Sequence, residues 1–183
     1  MIQTSMRTRA QVCVFAAAAL LAGSAAAVTK DEYRATKTRI GTEYKAAKVK
    51  CDALSGQLKN LCVAEAKAAE KRAKARAEAD YENTPRAREK AVIAEAEANY
   101  MVAKEQCATK TGNDKDVCVK AAKAAETKAK ADAKAARQTT VAKTDAKDTK
   151  RDADFKVARE KCDPLTGAAK DKCVADAKAR YAQ

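Results

Sequence analysis

The segment CDALSGQLKNLC at residues 51–62 decides the fold of this chain, because its pattern returns at residues 107–118 and 162–173. In each copy, ten residues separate two cysteines. Near the middle of each copy is a glycine, which is expected to form a turn: Gly56, Gly112 and Gly167. The first cysteines of the copies follow one another at nearly equal intervals, as Cys51, Cys107 and Cys162. The sequence therefore contains three copies of one unit, of about 55 residues each, which is the signature of a repeat architecture.

The repeat extends upstream of the cysteines. An aromatic residue lies seven positions before each first cysteine, and an alanine lies four positions before it. Spacings of four and seven place residues on one face of an α-helix. A helix is therefore predicted to lead into each first cysteine, with the aromatic and the alanine on the same face as the sulfur: Tyr44 and Ala47, Tyr100 and Ala103, Phe155 and Ala158.

A threonine marks the predicted start of each unit. Thr29 has Glu32 three residues later, the spacing of a capping box, and Thr84 is followed by Pro85, which is favoured at the first helical position. Thr140 has no proline after it, so the chain can stay helical through that junction. The predicted divisions are a signal peptide at 1–27 and repeats at 29–83, 84–139 and 140–183, the last one shortened.

Each unit is predicted to be a helical hairpin. A first helix of roughly 22 residues would be about 33 Å long and would end at the first cysteine. The glycine suits a left-handed position just after that helix, and a second helix begins beyond it. Because the two cysteines flank the turn almost symmetrically, an antiparallel hairpin brings them to the same level. The predicted fold class is all-α, elongated, with three tandem hairpins.

The six cysteines of the repeats are expected to form disulfides. Six cysteines allow fifteen pairings, and the regular spacing favours the pairs Cys51–Cys62, Cys107–Cys118 and Cys162–Cys173. Each bond would contribute on the order of 3 kcal/mol. A thiolate zinc site is the alternative, but without histidine it would need cysteines from two units. The spacing also differs from a C-x-x-C redox motif.

Residues 1–27 have the layout of a secretory signal peptide. Arg7 and Arg9 precede an apolar run at 12–22, and alanines at 25–27 form the cleavage signal. An uncleaved anchor is the alternative, but a span needs about 20 apolar residues. Cleavage after Ala27 would remove Cys13 and lower the net charge from +13 to +11. Export to an oxidising compartment, the periplasm, makes disulfides the expected state of the remaining cysteines.

The composition is typical of long, mostly solvated helices. Aromatic residues make up only 4% of the chain, and much of the apolar share is alanine, which buries little area. In residues 64–80 and 121–136, alanines alternate with charged residues. These stretches are expected to be solvated helices with many ion pairs between side chains three or four positions apart. The larger apolar residues are expected to fill the hairpin interfaces: Ile40, Tyr44, Val49, Leu58, Leu61, Val63, Val92, Ile93, Tyr100, Val102, Val117, Val119, Phe155, Val157, Leu165 and Val174.

The residue inventory argues against an enzyme. The chain has no histidine, no glycine-rich phosphate loop and no nucleophile with a base at recognisable spacing. Its carboxylates are scattered over lysine-rich helical faces. We therefore expect no catalytic residues, no cofactor, no metal ion and no small-molecule substrate.

Residues 66–71 (AKAAEK) and 121–126 (AAKAAE) carry a resemblance to a known family. They resemble the helical central region of TolA and, more widely, exported Ala/Lys-rich proteins of Gram-negative bacteria. The resemblance implies a helical spacer of the cell envelope. It covers only these inter-cysteine helices, and we expect neither the inner-membrane anchor nor the folded C-terminal domain of TolA-type proteins here. Their coupling function is therefore not carried over.

The expected function is a periplasmic structural or protein-interaction module whose partner is an unknown envelope protein or an anionic surface. The net charge of +11 leaves a second hypothesis, electrostatic binding of lipopolysaccharide, anionic lipid or nucleic acid. Against it, the lysines are interleaved with 25 acidic residues and few aromatics are available for stacking. A third hypothesis is a stress-related periplasmic holdase.

Overall fold

The computed structural model describes residues 27–181, and that range holds five α-helices and no strand. The helices are α1 (Lys30–Asp52), α2 (Gly56–Glu82), α3 (Pro85–Cys107), α4 (Gly112–Glu160) and α5 (Gly167–Tyr181). The all-α fold class is therefore confirmed. The predicted signal peptide, apart from its last residue, lies outside the described residues, and so does Cys13. None of the described helices combines the length and apolarity that crossing a bilayer requires.

The two predicted N-caps with strong sequence signals are confirmed. The Thr29 hydroxyl accepts a hydrogen bond from the backbone N–H of Glu32, whose carboxylate accepts from the backbone N–H of Thr29 at 2.8 Å. This is the capping box. At the start of α3, the Thr84 hydroxyl accepts from the N–H of Ala87 at 3.0 Å, and Pro85 is the first helical residue. Local sequence therefore fixes where α1 and α3 begin.

The turn glycines all have left-handed backbones, with φ of 56°, 52° and 56° at Gly56, Gly112 and Gly167. Their position differs from the prediction, which placed them just after the first helix of each unit. The first helix of unit one already ends at its C-cap residue Ala53, and each glycine is the first residue of the following helix. Before Gly56, the extended residue Ser55 directs the chain into α2, and the left-handed glycine completes the reversal.

α4 runs through the predicted start at Thr140 without a break, as the weakness of that signal allows. The Thr140 hydroxyl donates a hydrogen bond to the carbonyl of Ala136 at 2.9 Å, which is the behaviour of a threonine inside a helix and not of an N-cap. At 49 residues, α4 is about 73 Å long.

Within residues 27–181, each helix packs only against the helices next to it in the chain: α1 on α2, α2 on α3, α3 on α4, and α4 on α5. Most of the buried residues are alanines, five in α2 and four in α3. The expectation that residues 64–80 form a solvated helix is therefore wrong, because alanine lets two helices approach closely along both sides of α2. In the stretch 121–136 of α4, only Glu126 and Ala133 are buried.

The expectation that the larger apolar side chains fill the hairpin interfaces is wrong for several of them. Ile40 is buried, and most of the aromatics and the remaining aliphatics are half-buried. Six lie on outward faces and are between 40% and 70% exposed: Val49, Leu58, Val92, Val117, Val157 and Leu165. Near the cysteine turns the inward positions are taken by the cysteines, so Val49, Leu58, Val117, Val157 and Leu165 point to solvent.

Candidate functional site

The three predicted cysteine pairs are at disulfide distance in the structure. Cys51–Cys62, Cys107–Cys118 and Cys162–Cys173 are bonded, with Cα–Cα separations of 5.5, 5.7 and 5.8 Å. The first cysteine of each pair is completely buried. Among the described residues, no group of cysteines and acids is arranged to hold a metal ion. We call each bonded pair with its turn a staple.

Charged side chains reinforce the first and third staples. Lys59 pairs with Asp52 across the first turn and Lys170 pairs with Asp163 across the third, each at 3.1 Å. The acids directly follow the first cysteine, and each lysine comes seven residues after its acid. In the second staple the acid position is occupied by Ala108, so this pair is missing there.

The first and second staples lie side by side. The side-chain amide of Gln57, at the start of α2, donates a hydrogen bond to the backbone carbonyl of Glu105 near the end of α3, at 2.6 Å. This contact lies between the first turn and the second. The first two repeats are therefore in contact from their turns along α2 and α3.

A cluster of alternating charges connects the middle of α2 and α3 with the first half of α4. Glu97 of α3 binds Lys71 of α2 on one side and Lys130 of α4 on the other, the latter at 2.7 Å. Lys130 also binds Glu126 at 2.8 Å, and Lys123 binds Glu126 at 2.7 Å. We call these five residues the charge clamp. Because it joins three helices through Glu97, it fixes their relative register.

The clamp holds its groups in their charged forms. Hydrogen bonds from Lys130 and Lys71 lower the pKa of Glu97, and hydrogen bonds from Lys123 and Lys130 lower the pKa of Glu126. Hydrogen bonds to Glu126 and Glu97 raise the pKa of Lys130. At neutral pH these shifts favour the ionised forms that the ion pairs of the clamp require.

Two further pairs connect α2 to α3, and one connects α3 to α4. Arg76 binds Glu95, and Lys90 lies 3.6 Å from Glu78. On the other side of α3, the Arg137 guanidinium binds Glu89 at 2.6 Å. The interfaces between the helices therefore consist of packed alanines with ion pairs along their sides. The ion pairs favour one axial register of the helices, which the uniform alanine surfaces do not. The sequence signalled many ion pairs but placed them within single helices.

A basic cleft lies at the end of α1 and α2 far from the first staple. The rings of Tyr33 and Tyr81 stack with centroids 4.6 Å apart, and the Lys37 ammonium lies 5.3 Å from the Tyr33 centroid. Lys30 and Arg34 line the same cleft, whose volume is about 400 Å³. Sequence reasoning missed this site, because its two tyrosines belong to different helices and lie far apart in the chain.

No protein-family model matches this chain, and comparisons with curated proteins and with solved structures gave no significant match.

Proposed function

We propose that the protein is a non-enzymatic structural or interaction module of the cell envelope, made of three helical hairpins in series. The observation that carries this proposal is the recurrence of the disulfide at equivalent turns in all three repeats. Disulfides persist in oxidising compartments, which agrees with the predicted export and periplasmic location. The signal peptide, its cleavage after Ala27 and the TolA-like spacer role belong to this proposal.

The staples account for how such a module is stable with so small a core. Isolated helices of this length are marginal in water, and buried alanines contribute little hydrophobic free energy. Closing each turn covalently offsets part of the entropy of forming the hairpin, by about 3 kcal/mol per bond. A long helix such as α4 then sets the distance between stapled ends, which is the task of a spacer.

The test uses protein recovered from the envelope fraction of cells that express it. We expect mass spectrometry to show an N-terminus at Val28 and three disulfides in the pairing Cys51–Cys62, Cys107–Cys118 and Cys162–Cys173. Chemical cross-linking in intact cells should then capture a distinct envelope protein. Recovery in the cytoplasm with the six repeat cysteines as free thiols would overturn the proposal.

A second candidate function, binding of an anionic envelope polymer, is favoured by the basic cleft. Lys30, Arg34 and Lys37 place three cations beside a pair of stacked rings. Lipopolysaccharide phosphates are the expected ligand class, since a cation cluster attracts them and a ring face can pack on a sugar. Tyr81 would act as the platform, because Tyr81 and Lys37 already cover the ring of Tyr33. Lys30, Lys37 and Arg34, which also pairs with the exposed Asp31 at 3.7 Å, would be the phosphate contacts.

Removing positive charges from α1 distinguishes binding at the basic cleft from attraction by the overall net charge of the protein. The triple variant Lys30→Gln, Arg34→Gln and Lys37→Gln should lose retention on lipopolysaccharide at physiological salt. The matched control Lys45→Gln, Lys48→Gln and Lys50→Gln removes the same charge from the same helix and should retain it. Equal loss in both triples would mean that only the overall charge matters.

A further inference from the structure

Around the middle of α4, one face of the helix contacts no other described helix. The internal repeat indicates which kind of helix face would pack against it. When the repeats are aligned, Cys62 corresponds to Cys118 and Cys107 to Cys162, so α2 and α3 both have their equivalents on α4. Residues 112–138 of α4 are equivalent to α2, and residues 140–160 are equivalent to α3. In the first two repeats those two helices pack against each other. In α4 they are end to end.

The ion pair between Arg76 and Glu95 has an exchanged equivalent in α4. Position 76 corresponds to Asp132 and position 95 to Lys150, so the signs are reversed and the pair is still complementary. Within one straight helix, two residues with this separation are about 27 Å apart and cannot meet.

Two other polar pairs of that interface also have complementary equivalents on α4. Lys90 and Glu78 correspond to Asp145 and Lys134, again with exchanged signs. Arg72 donates a hydrogen bond to Asn99 at 3.2 Å, and the equivalent positions hold Lys128 and Asp154, which are of opposite charge. Three complementary pairs of the α2–α3 interface therefore have complementary equivalents on α4 without contact between their members, whereas the pair Lys71–Glu97 corresponds to Thr127 and Asp152 and has no complementary equivalent. All six residues of the three complementary equivalents are exposed, and none of them forms an ion pair with another described residue.

These six residues flank one continuous face of α4. At 100° per residue, a row of exposed alanines runs along the helix from one half into the other with no change of phase: Ala124, Ala131, Ala135, Ala142, Ala146 and Ala153. The charged residues lie along its two edges, with one complementary set on each edge: Lys128, Asp132, Lys150 and Asp154 on one, Lys134 and Asp145 on the other. When two helices pair antiparallel, each edge faces its own counterpart. Both edges are therefore self-complementary.

We propose that α4 pairs antiparallel with α4 of a second copy of this chain. A two-fold axis near residue 140 places residues 112–138 of one copy against residues 140–160 of the other, and the reverse. Each of the three charge pairs then forms twice, and the alanine row packs on its own counterpart, as α2 packs on α3. Because α4 is one continuous helix, its two halves cannot pack against each other within one chain. A second copy is therefore the partner that fits this face. This inference does not depend on the proposed envelope function.

Sedimentation equilibrium of the disulfide-bonded protein tests the pairing directly. The wild-type chain should have twice the mass of one copy. Reversing the three charges of either half should weaken self-association on the order of 100-fold, because six favourable contacts per dimer become repulsive. The first-half variant is Lys128→Glu, Asp132→Lys and Lys134→Glu; the second-half variant is Asp145→Lys, Lys150→Glu and Asp154→Lys.

Mixing the two variants separates pairing between copies from any fold-back within one chain. Each variant alone should be monomeric, whereas an equimolar mixture should form a heterodimer, because every reversed charge meets a reversed partner. Lys45→Glu and Glu65→Lys change the net charge by the same amounts as the two triples, on exposed positions elsewhere, and should remain dimeric. A monomeric wild type would overturn the inference, as would a dimer that survives both reversals or a mixture that stays monomeric.

Discussion

The junction between the first and second repeats is a corner, whereas the junction between the second and third is the middle of a helix. At the corner, Asn83 has a left-handed backbone with φ of 47°, and Thr84 and Pro85 start the next helix. The Arg88 guanidinium holds the corner by donating to the carbonyl oxygen of Asn83 at 3.2 Å. In α4, the chain passes through Thr139 and Thr140 with no change of direction.

The difference between the junctions follows from two changes in sequence. The interval from Cys51 to Cys107, which crosses the corner, is one residue longer than the interval from Cys107 to Cys162, so the left-handed residue Asn83 has no counterpart in α4. Position 85 corresponds to Thr140, which keeps the backbone N–H that proline lacks. Without a residue that favours positive φ and without a proline, continuing the helix costs less than turning. The missing Asn and the missing Pro together therefore distinguish the continuous helix α4 from the turn between α2 and α3.

The largest change is expected from transferring the corner into α4. Inserting Asn between Gln138 and Thr139 and replacing Thr140→Pro recreates the sequence Asn-Thr-Pro. A proline inside a continuous helix costs about 3 kcal/mol, so the helix should break and its second half should fold back on the first. Small-angle X-ray scattering should show a shorter maximum dimension. The control Thr140→Ala should leave that dimension unchanged, and an equally long corner variant would contradict the explanation.

Removing a disulfide should affect α5 and the α3–α4 turn differently, because α5 has few other contacts whereas α3 and α4 are also joined by ion pairs. In the pair Cys162→Ser and Cys173→Ser, α5 should lose its helix, because α4 is the only described helix that it contacts and Ala177 is its one buried residue. The double substitution also removes about 3 kcal/mol of loop-closure free energy. Hydrogen exchange across residues 167–181 measures this.

The matched pair Cys107→Ser and Cys118→Ser should lower the melting temperature but keep its helices. There, Glu89 and Glu97 of α3 still bind Arg137 and Lys130 of α4. Equal protection of α5 with and without its disulfide would contradict this ranking of the two regions.

Substituting the central acid of the clamp should have a smaller effect. Glu97→Gln removes the charge that Lys71 and Lys130 share, and we expect the free energy of unfolding to fall by roughly 1 kcal/mol in urea titrations, since these groups are partly screened by solvent. The exposed pair Glu43–Arg39 on α1 provides the control. Glu43→Gln should change stability by less than about 0.5 kcal/mol. An equal effect of the two substitutions would show that the clamp has no special role.

The smallest expected effect is the pH dependence of the clamp. The pKa values of Glu97 and Glu126 lie below the ordinary 4.5, so their contribution is present above that pH and is lost as the pH falls through the folded-state values. The pKa of Lys130 lies above 10.5, so its contribution is present below that pH and is lost as the pH rises through the folded-state value. The stability difference between wild type and Glu97→Gln should be constant from about pH 5 to 10 and shrink outside that window. A difference that peaks below pH 4 would contradict the assigned shifts.

Sequence reasoning succeeded where local chemistry determines the structure. The capping box of Thr29, the proline start after Thr84 and the left-handed glycine of each turn depend on residues a few positions apart, and the structure has all of them. The cysteine spacing likewise predicts which sulfurs lie close together. That α4 can continue through Thr140 followed from its missing proline.

Sequence reasoning failed where the outcome depends on which helix is opposite. The stretch 64–80 has the composition of a solvated rod, and only the presence of α1 and α3 on its two sides makes its alanines interior residues. Size was a poor guide to burial for the same reason: Val49 and Leu58 are largely exposed, whereas Ala68 is completely buried. The charge clamp and the stacked tyrosines join residues of different helices that are far apart in the chain, and no local pattern predicts such contacts.

The distance between Ala121 and Arg159, two exposed residues in the two halves of α4, tests the contrast between the junctions most directly. Spin labels at these positions, diluted with unlabelled protein so that only distances within one chain are seen, can be measured by pulsed electron paramagnetic resonance. A continuous helix, which rises about 1.5 Å per residue, predicts a separation of about 57 Å. A separation of roughly 10 Å, the spacing of two packed helices, would mean that the second junction is also a corner and would contradict the continuous helix.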